Sequence, residues 1–380
     1  MIRDARWRAV VAAFAFNGLL FGAWASRVPA FKEGFGLDPA TLGILLLALA
    51  AGAIISFPFA GVLSERFGPQ RLTIWCTWGY GPALVALAFA PWPVLLGLCL
   101  FVFGALHGAM DVAMNGWGAR EETRLGQSTM SIFHAMFSLG AGLGAASGYA
   151  AVQIGLEPTW HFIIIGGVGA AISLGVMTSV KPERPEESEA AGPKPFLAFP
   201  TGPLALVGLV AFAISMGEGA MADWSAVFLR EATRASEAAS ALGYTIFSVM
   251  MVVTRLLGGV AVGRLGPVKT TRASAATAFV GLLIAVTSGD LYWVLFGFAL
   301  LGVGYAVVMP LVFSRAAHDP NIPAGPAIAS VATLGYGGML LGPPIIGFVA
   351  HFTGMRLSFL VLAALALLAF ALAPRLGQRT

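Results

Sequence analysis

Three polar side chains, His107, Asp111 and Asn115, recur at four-residue intervals in the otherwise apolar stretch GALHGAMDVAMNGWG, residues 104–118. In an α-helix of 3.6 residues per turn, each step of four rotates the side chain by only about 40°. The imidazole, the carboxylate and the amide therefore share one helix face. Such a stripe can hold or pass a proton and can hydrogen-bond a polar solute.

The composition indicates that this helix lies in a lipid bilayer. Of the 380 residues, 58% are hydrophobic and 11% are charged, whereas soluble proteins average about 25% charged residues. Apolar runs of about 20 residues are typical of transmembrane helices and not of β-barrel strands. An aspartate at the centre of such a helix costs about 2.5–3.5 kcal/mol on insertion scales. We therefore expect Asp111 to face protein or an aqueous path and to have a functional role.

The apolar runs predict an all-α integral membrane protein with twelve transmembrane helices. The predicted spans are 8–28, 41–62, 72–90, 94–117, 128–152, 160–179, 202–228, 239–262, 272–288, 291–312, 326–350 and 356–374. Most of the 22 Lys and Arg residues fall on one side of these spans, and the opposite side receives only Arg27, Lys32, Arg230, Arg234 and Arg356. The positive-inside rule places the richer side, with both termini, in the cytoplasm. The net charge of +4 then reflects orientation and argues against a nucleic-acid partner.

A proline- and carboxylate-rich stretch at 180–199, VKPERPEESEAAGPKPFLAF, interrupts the apolar pattern near the middle of the chain. This composition cannot form a packed core, so we predict a linker. The predicted domains are a six-helix bundle over 1–180, a cytoplasmic linker over 181–200 and a second six-helix bundle over 201–380.

The two halves repeat one another in sequence. GVLSERFGPQR at 61–71 aligns without a gap with GVAVGRLGPVK at 259–269, and TLGILL at 41–46 aligns with ALGYTI at 241–246. Single residues align as well: Trp24 with Trp224, Gly104 with Gly302, and His107 with Tyr305. Two matching segments and three matching single positions indicate a duplicated six-helix unit with parallel halves.

Glycines at four-residue intervals predict close helix packing in two spans. They are Gly140, Gly144 and Gly148 in span 5, and Gly338 and Gly342 in span 11. Small residues at this spacing let the backbones of membrane helices approach one another.

In its six-plus-six plan and in the loop after span 2, the chain resembles the major facilitator superfamily of secondary transporters over essentially its whole length. That loop typically reads G-x-L-a-D-r-x-G-r-k, and the corresponding residues here are Gly61, Leu63, Glu65, Arg66, Gly68 and Arg71. The resemblance implies two pseudo-symmetric bundles and a cytoplasmic gate in which this loop pairs with the neighbouring half. We assign Arg264 to this gate, together with Arg255, which is expected to pair with the cytoplasmic ends of neighbouring spans. The alternative for Arg66 and Arg71 is that these charges only satisfy the positive-inside rule.

Span 4 narrows the resemblance to fucose-permease-like sugar/proton symporters. That group carries an acid followed by alanine two residues later and asparagine four residues later, which Asp111, Ala113 and Asn115 match. The resemblance implies a proton-coupling role for Asp111. Span 1 lacks the second acid of that group and has Asn17 as its deep polar residue. Glu218 of span 7, near the symmetry-related position, is the candidate for the second titratable group.

The candidate site residues fall into two classes. The candidates for proton coupling are Asp111, Glu218, His107 and His134. The candidates for substrate contact are Asn17, Asn115, Ser138, Trp24, Tyr305 and Tyr336. Each has a structural alternative: a carboxylate tied to a cation, a histidine that bridges helices, or an aromatic ring that packs in the core or anchors at the membrane interface. Asp223 is interpreted as an interfacial residue.

The leading hypothesis is a monomeric secondary transporter of a small organic solute, sugar-like by the resemblance, driven by protons or alternatively by sodium. It would work by alternating access in a bacterial-type inner membrane and would need no cofactor. An efflux antiporter for lipophilic compounds is the alternative, although GAGLGAASG at 140–148 lacks the proline of the exporter motif. A membrane-embedded enzyme is a remote alternative, because the chain has no H-E-x-x-H, G-x-S-x-G or phosphate-loop motif and no zinc-ligand spacing.

Overall fold

Helices supply the regular secondary structure of the described residues, which are 4–126, 129–181, 200–322 and 324–377 of the computed structural model. The helices are α1 (Ala5–Gly34), α2 (Pro39–Phe67), α3 (Pro69–Ala88), α4 (Pro93–Leu125), α5 (Met130–Gln153), α6 (Pro158–Thr178), α7 (Pro203–Thr233), α8 (Glu237–Thr287), α9 (Leu291–Tyr305), α10 (Val308–Ala317), α11 (Ala324–Thr353), α12 (Met355–Ser358) and α13 (Leu360–Leu372). A 3-10 turn at Ala373–Leu376 follows.

The lengths and compositions of these helices are those of a multi-pass membrane protein. Within the described ranges, ten helical stretches are long and apolar enough to cross a bilayer. One of them, α8, is 51 residues long because it joins two helical segments at the non-helical Gly266, and these segments correspond to predicted spans 8 and 9. α3, with 20 residues, covers predicted span 3. The predicted all-α membrane fold is therefore confirmed.

The predicted continuous span at 291–312 needs correction, because the helix is interrupted after Tyr305 and resumes as α10. Pro310 lies one turn beyond the interruption. Since proline has no N–H, it cannot donate to the carbonyl of Ala306, and the helical ladder is broken there. The last predicted span is interrupted as well, at Phe359 between α12 and α13.

The repeated loop has the same backbone conformation in both halves. Gly68 has φ 88° and ψ 143°, and Gly266 has φ 74° and ψ 166°. Residues with a side chain rarely adopt such positive φ values, so these turns favour glycine. Each glycine precedes a proline, Pro69 or Pro267, at the start of the next helical segment. This match in conformation supports the duplication inferred from the sequence.

Glycines bring α5 into backbone contact with α1, and α11 into backbone contact with α7. A Cβ on Gly140 would collide with the carbonyl oxygen of Ala15, and a Cβ on Gly338 would collide with that of Phe212. Close packing is thus confirmed for Gly140, Gly144, Gly148 and Gly338, whereas Gly342 has only ordinary contact distances. The tight positions exclude any side chain larger than hydrogen.

The chain divides into two compact units. The first comprises residues 1–37 and 45–194, and the second comprises 38–44 and 195–380. The boundary near 194 falls in the predicted linker, of which 182–199 lies outside the described residues. The candidates for proton coupling and substrate contact lie on α1, α4 and α5 of the first unit and on α7, α9 and α11 of the second, and the gate candidates lie on or between α2 and α3 and on α8.

Candidate functional site

Asp111 of α4 is half-buried in the first unit and has a neutral partner. Its Oδ1 accepts a hydrogen bond of 3.1 Å from Nδ2 of Asn115, which also donates to the backbone carbonyl of Asp111 at 2.8 Å. Among the described residues, no Lys, Arg or His forms an ion pair with this carboxylate. The structure brings the two residues together as the four-residue spacing predicts.

His107, one turn earlier in α4, is the centre of a polar and aromatic cluster. The residue is 8% exposed, and its Nδ1 lies 2.9 Å from the hydroxyl of Tyr80 on α3. Phe21 of α1 stacks on the imidazole, with the ring centroids 4.9 Å apart. Asn17 donates from Nδ2 to the backbone carbonyl of His107 at 3.3 Å. Sequence analysis missed Tyr80, because its contact with His107 joins two helices and leaves no local signal.

Among the buried polar atoms of α1 that have no hydrogen-bond partner within the described residues are Oδ1 of Asn17 and Nε1 of Trp24. The two residues are seven positions apart, so they lie on one helix face with Phe21 between them. Trp24 is 1% exposed and packs against Phe31, with ring centroids 5.2 Å apart, so it does not anchor at a lipid surface. An unsatisfied buried donor or acceptor costs about 1–3 kcal/mol. This face of α1 can therefore accept one further hydrogen bond at Asn17 and donate one at Trp24.

The two α5 candidates occupy different environments. His134 is largely exposed, and its ring meets the edge of Phe14 with centroids 5.4 Å apart. Ser138 is 3% exposed and donates from its hydroxyl to the backbone carbonyl of His134 at 3.2 Å. The two residues are thus neighbours on α5, as their spacing predicts.

In the second unit, Glu218 of α7 pairs with Arg255 of α8. Nη2 of Arg255 lies 3.4 Å from Oε2 of Glu218. Nε of the same arginine donates to the carbonyl of Ala306 at 3.4 Å, the carbonyl that Pro310 leaves without a helical partner. This placement corrects the expectation that Arg255 pairs with neighbouring helix ends, because it contacts Glu218 and the interruption between α9 and α10.

Two tyrosines flank the Glu218 carboxylate. The ring of Tyr305 packs on Gly217, where any side chain would collide with it. Tyr305 and Tyr244 of α8 both lie close enough to Glu218 for its charge to act on their hydroxyls. Asp223, which is 8% exposed, also lies within electrostatic range of Tyr244. Burial corrects the interpretation of Asp223 as an interfacial residue.

The remaining second-half candidate, Tyr336 of α11, is 38% exposed. The gate candidates are also accessible: Glu65, Arg66, Arg71 and Arg264 are exposed, and Gly61 has open space where a Cβ would project. The guanidinium of Arg66 lies over the ring of Phe67, 5.1 Å from its centroid. No ion pair involving these four charged gate residues occurs within the described ranges. Their role in a gate stays a prediction.

An ionic cluster that sequence analysis missed joins the start of α1 to the end of α4. Nη2 of Arg124 donates to Oδ2 of Asp4 at 2.6 Å, and the guanidinium also pairs with Glu121. Asp4 caps α1 by accepting hydrogen bonds from the N–H groups of Arg6 and Trp7. The hydrogen bond from Arg124 lowers the pKa of the Asp4 carboxyl. An aspartate directly before a helical run is a capping signal that could have identified this residue.

Comparison with known proteins decides the family. The family model described as the Major Facilitator Superfamily matches residues 9–321. The chain belongs to the major facilitator superfamily. Among curated relatives of this superfamily member, an uncharacterised transporter of Sinorhizobium fredii, y4wD, is 45% identical over 377 residues and the match covers 98% of each chain. The membrane protein MosC of Rhizobium meliloti is 29% identical over 357 residues, covering 94% of this chain and 86% of MosC.

Solved structures of the superfamily share the fold. A mutant form of the nucleoside transporter NupG superposes with a TM-score of 0.80 at 14% identity, covering 98% of this chain and 100% of that structure. A bacterial homologue of the lysosomal transporter Spinster, inward-facing and unoccupied, has a TM-score of 0.75 at 13% identity and covers 98% and 96%. The superfamily member is thus a multi-pass membrane transporter for small molecules. The narrower resemblance to fucose-permease-like symporters is not confirmed by these comparisons.

Proposed function

We propose that this transporter moves a small, polar, sugar-like organic solute by proton-coupled alternating access, with Asp111 as the proton carrier of the first unit. The observation that carries the proposal is the environment of Asp111: a half-buried carboxylate whose partner is the neutral amide of Asn115. A carboxylate locked to an arginine would keep its charge. Because this one has no cation within the described residues, uptake of a proton and loss of a proton both remain energetically accessible.

The cluster around His107 supports a polar solute. Sugar hydroxyls both donate and accept hydrogen bonds, and they present apolar C–H faces to aromatic rings. The α1 face offers the carbonyl oxygen of Asn17 as an acceptor, the indole N–H of Trp24 as a donor, and the ring of Phe21 between them. We therefore assign substrate contact to this face, together with Asn115, Ser138, Tyr305 and Tyr336.

The remaining assignments of the proposal concern location and gating. The distribution of Lys and Arg supports an inner-membrane orientation with both termini in the cytoplasm. Glu65 and Arg66 in the last turn of α2 and Arg71 in the first turn of α3 are exposed, and they are available to form ion pairs in a conformation in which the cytoplasmic side is closed. The working unit is a monomer.

A thermal-shift screen of the purified full-length protein tests the proposal. The panel consists of neutral sugars, nucleosides, organic acids and lipophilic drugs, each measured at two pH values. A ligand that binds only the folded state raises the unfolding temperature in proportion to its occupancy. We expect a polar solute with several hydroxyls to raise the unfolding temperature, and we expect the magnitude of this shift to depend on pH. Stabilisation by lipophilic compounds alone would contradict the sugar-like substrate and favour an exporter.

A further inference from the structure

Asp223 of α7 is a buried carboxylate without a hydrogen bond in the part of the chain that the structure describes. The residue is 8% exposed. In the internal repeat, where Trp224 aligns with Trp24, the position of Asp223 corresponds to Ala23. The second unit therefore carries an acid at a position where the equivalent helix of the first unit has an alanine.

The ionisable groups on the elements packed against α7 are engaged elsewhere or exposed. On α7 and α8, Glu218 pairs with Arg255, and Tyr244 is the titratable neighbour of Asp223. Arg230 of α7 donates to the carbonyl of Ala235, Arg315 of α10 pairs with Asp319, and Arg356 of α12 donates to the carbonyl of Ala232. Tyr305 of α9 lies beside Glu218, His351 of α11 lies 3.7 Å from Asp38, and Glu237 is half-buried in the first turn of α8. The other ionisable side chains of these elements are exposed: Glu231, Arg264, Lys269, Arg272, Tyr292, Tyr336 and Arg375. α13 has no ionisable side chain.

The two carboxylates of α7 consequently differ in how their charge is balanced. Glu218 faces the guanidinium of Arg255 and can stay ionised. A carboxylate removed from water without a hydrogen-bond donor or a cation is strongly disfavoured and takes up a proton instead. An ionised Asp223 would add a negative charge that no cation of the described residues pairs with, and a single proton removes that charge.

We propose that Asp223, and not Glu218, is the proton-binding carboxyl of the second unit. The inference rests on the proposed proton-coupled transport and reassigns its second proton site. While enclosed, Asp223 is a neutral carboxylic acid. When water reaches it, the O–H bond breaks, the proton passes to a water molecule and the electron pair stays on the carboxylate oxygen. Glu218 instead orients Arg255 against the interrupted helix.

Infrared spectroscopy of the full-length protein in lipid nanodiscs, without substrate, tests this assignment. The C=O stretch of a protonated carboxylic acid is separate in frequency from the bands of a carboxylate. Isotopic labelling of the aspartate side chains shifts the C=O band of an aspartic acid, whereas the band of an unlabelled glutamic acid stays in place. The wild-type protein, Asp223→Asn, Glu218→Gln and Asp111→Asn are titrated over the same pH range. We expect an aspartic acid band at neutral pH that is lost in Asp223→Asn and retained in both other variants.

Two outcomes overturn the assignment: an unlabelled band that disappears only in Glu218→Gln, or no band that Asp223→Asn removes. If Asp223→Asn does not fold, Asp223→Ala supplies the residue of the first-half copy. In the Asp111→Asn variant with labelled aspartates, Asp111 cannot contribute to the aspartic acid band, so a labelled band that remains is attributed to Asp223 without a substitution at that residue. Because the readout needs no substrate, failure of this inference is distinct from failure of the transport proposal, which Asp111→Asn tests through proton flux.

Discussion

The hydroxyl of Tyr80 lies 2.9 Å from Nδ1 of His107 and joins α3 to α4 beneath the stacked ring of Phe21. This bond fixes the imidazole one turn from Asp111, on the face that carries Asn115. The same bond engages Nδ1 of His107. The orientation of the imidazole is therefore set by Tyr80, a residue outside the polar stripe.

Tyr80→Phe removes this hydrogen bond and leaves Nδ1 of a buried histidine unsatisfied. We expect a loss of about 1–3 kcal/mol in the free energy of unfolding, because a buried donor or acceptor left without a partner costs that much. The measurement is thermal unfolding of the purified variant. The matched control is Tyr149→Phe, whose hydroxyl has no hydrogen bond among the described residues, and equal effects of the two substitutions would argue against the bond.

Gly140→Ala tests the contact between α5 and α1. The added Cβ would collide with the backbone carbonyl of Ala15, which cannot move without displacing a helix. We expect a lower unfolding temperature and reduced yield of folded protein, by analogy with overpacked cores that lose about 1–3 kcal/mol. Gly175→Ala in α6 is the control, since its Cβ would meet nothing within 4 Å. It should be neutral or slightly stabilising, because alanine has the higher helix propensity.

The ion pair between Asp4 and Arg124 is expected to lose its stabilising effect in acid. Arg124 lowers the pKa of this carboxyl in the folded protein, so its stabilisation is complete above the unfolded value of about 3.9 and disappears as the pH falls through the folded pKa. Asp4→Asn keeps a capping side chain but removes the charge. We expect the variant to be less stable at neutral pH by at most about 1 kcal/mol, because the pair is partly exposed.

The comparison of Asp4→Asn with the wild-type protein is made by thermal unfolding at neutral and at strongly acidic pH. The difference between the two proteins should vanish in acid, where both side chains at this position are uncharged. A difference that persists unchanged at low pH would show that the ion pair with Arg124 does not carry it.

The membrane fold and the stripe on α4 could be predicted because both depend on local patterns. Apolar runs of helical length identify the spans, and the spacing of Asp111 and Asn115 alone places them on one face. The turn at Gly68 and its copy at Gly266 could be predicted for the same reason, since the same short motif needs the same positive φ.

Contacts between distant helices could not be predicted in this way. The partner of His107 is Tyr80, a residue indistinguishable in sequence from a core aromatic. The sequence assigns Arg255 to the gate, but Pro310, far along the chain, leaves the carbonyl of Ala306 without a helical partner, and Arg255 contacts this carbonyl and Glu218. Because Arg255 pairs with Glu218, Asp223 is the carboxylate of α7 that has no cation among the described residues.

The central claim is that Asp111 carries the transported proton. Its most direct test is proton flux in proteoliposomes loaded with a pH-sensitive dye and challenged with each polar solute that stabilises the protein. The wild-type protein should move protons together with the solute. Asp111→Asn should still bind the solute and exchange it across the membrane, but with no coupled proton flux and no accumulation driven by a pH gradient. Undiminished solute-dependent proton flux in folded Asp111→Asn would contradict the account.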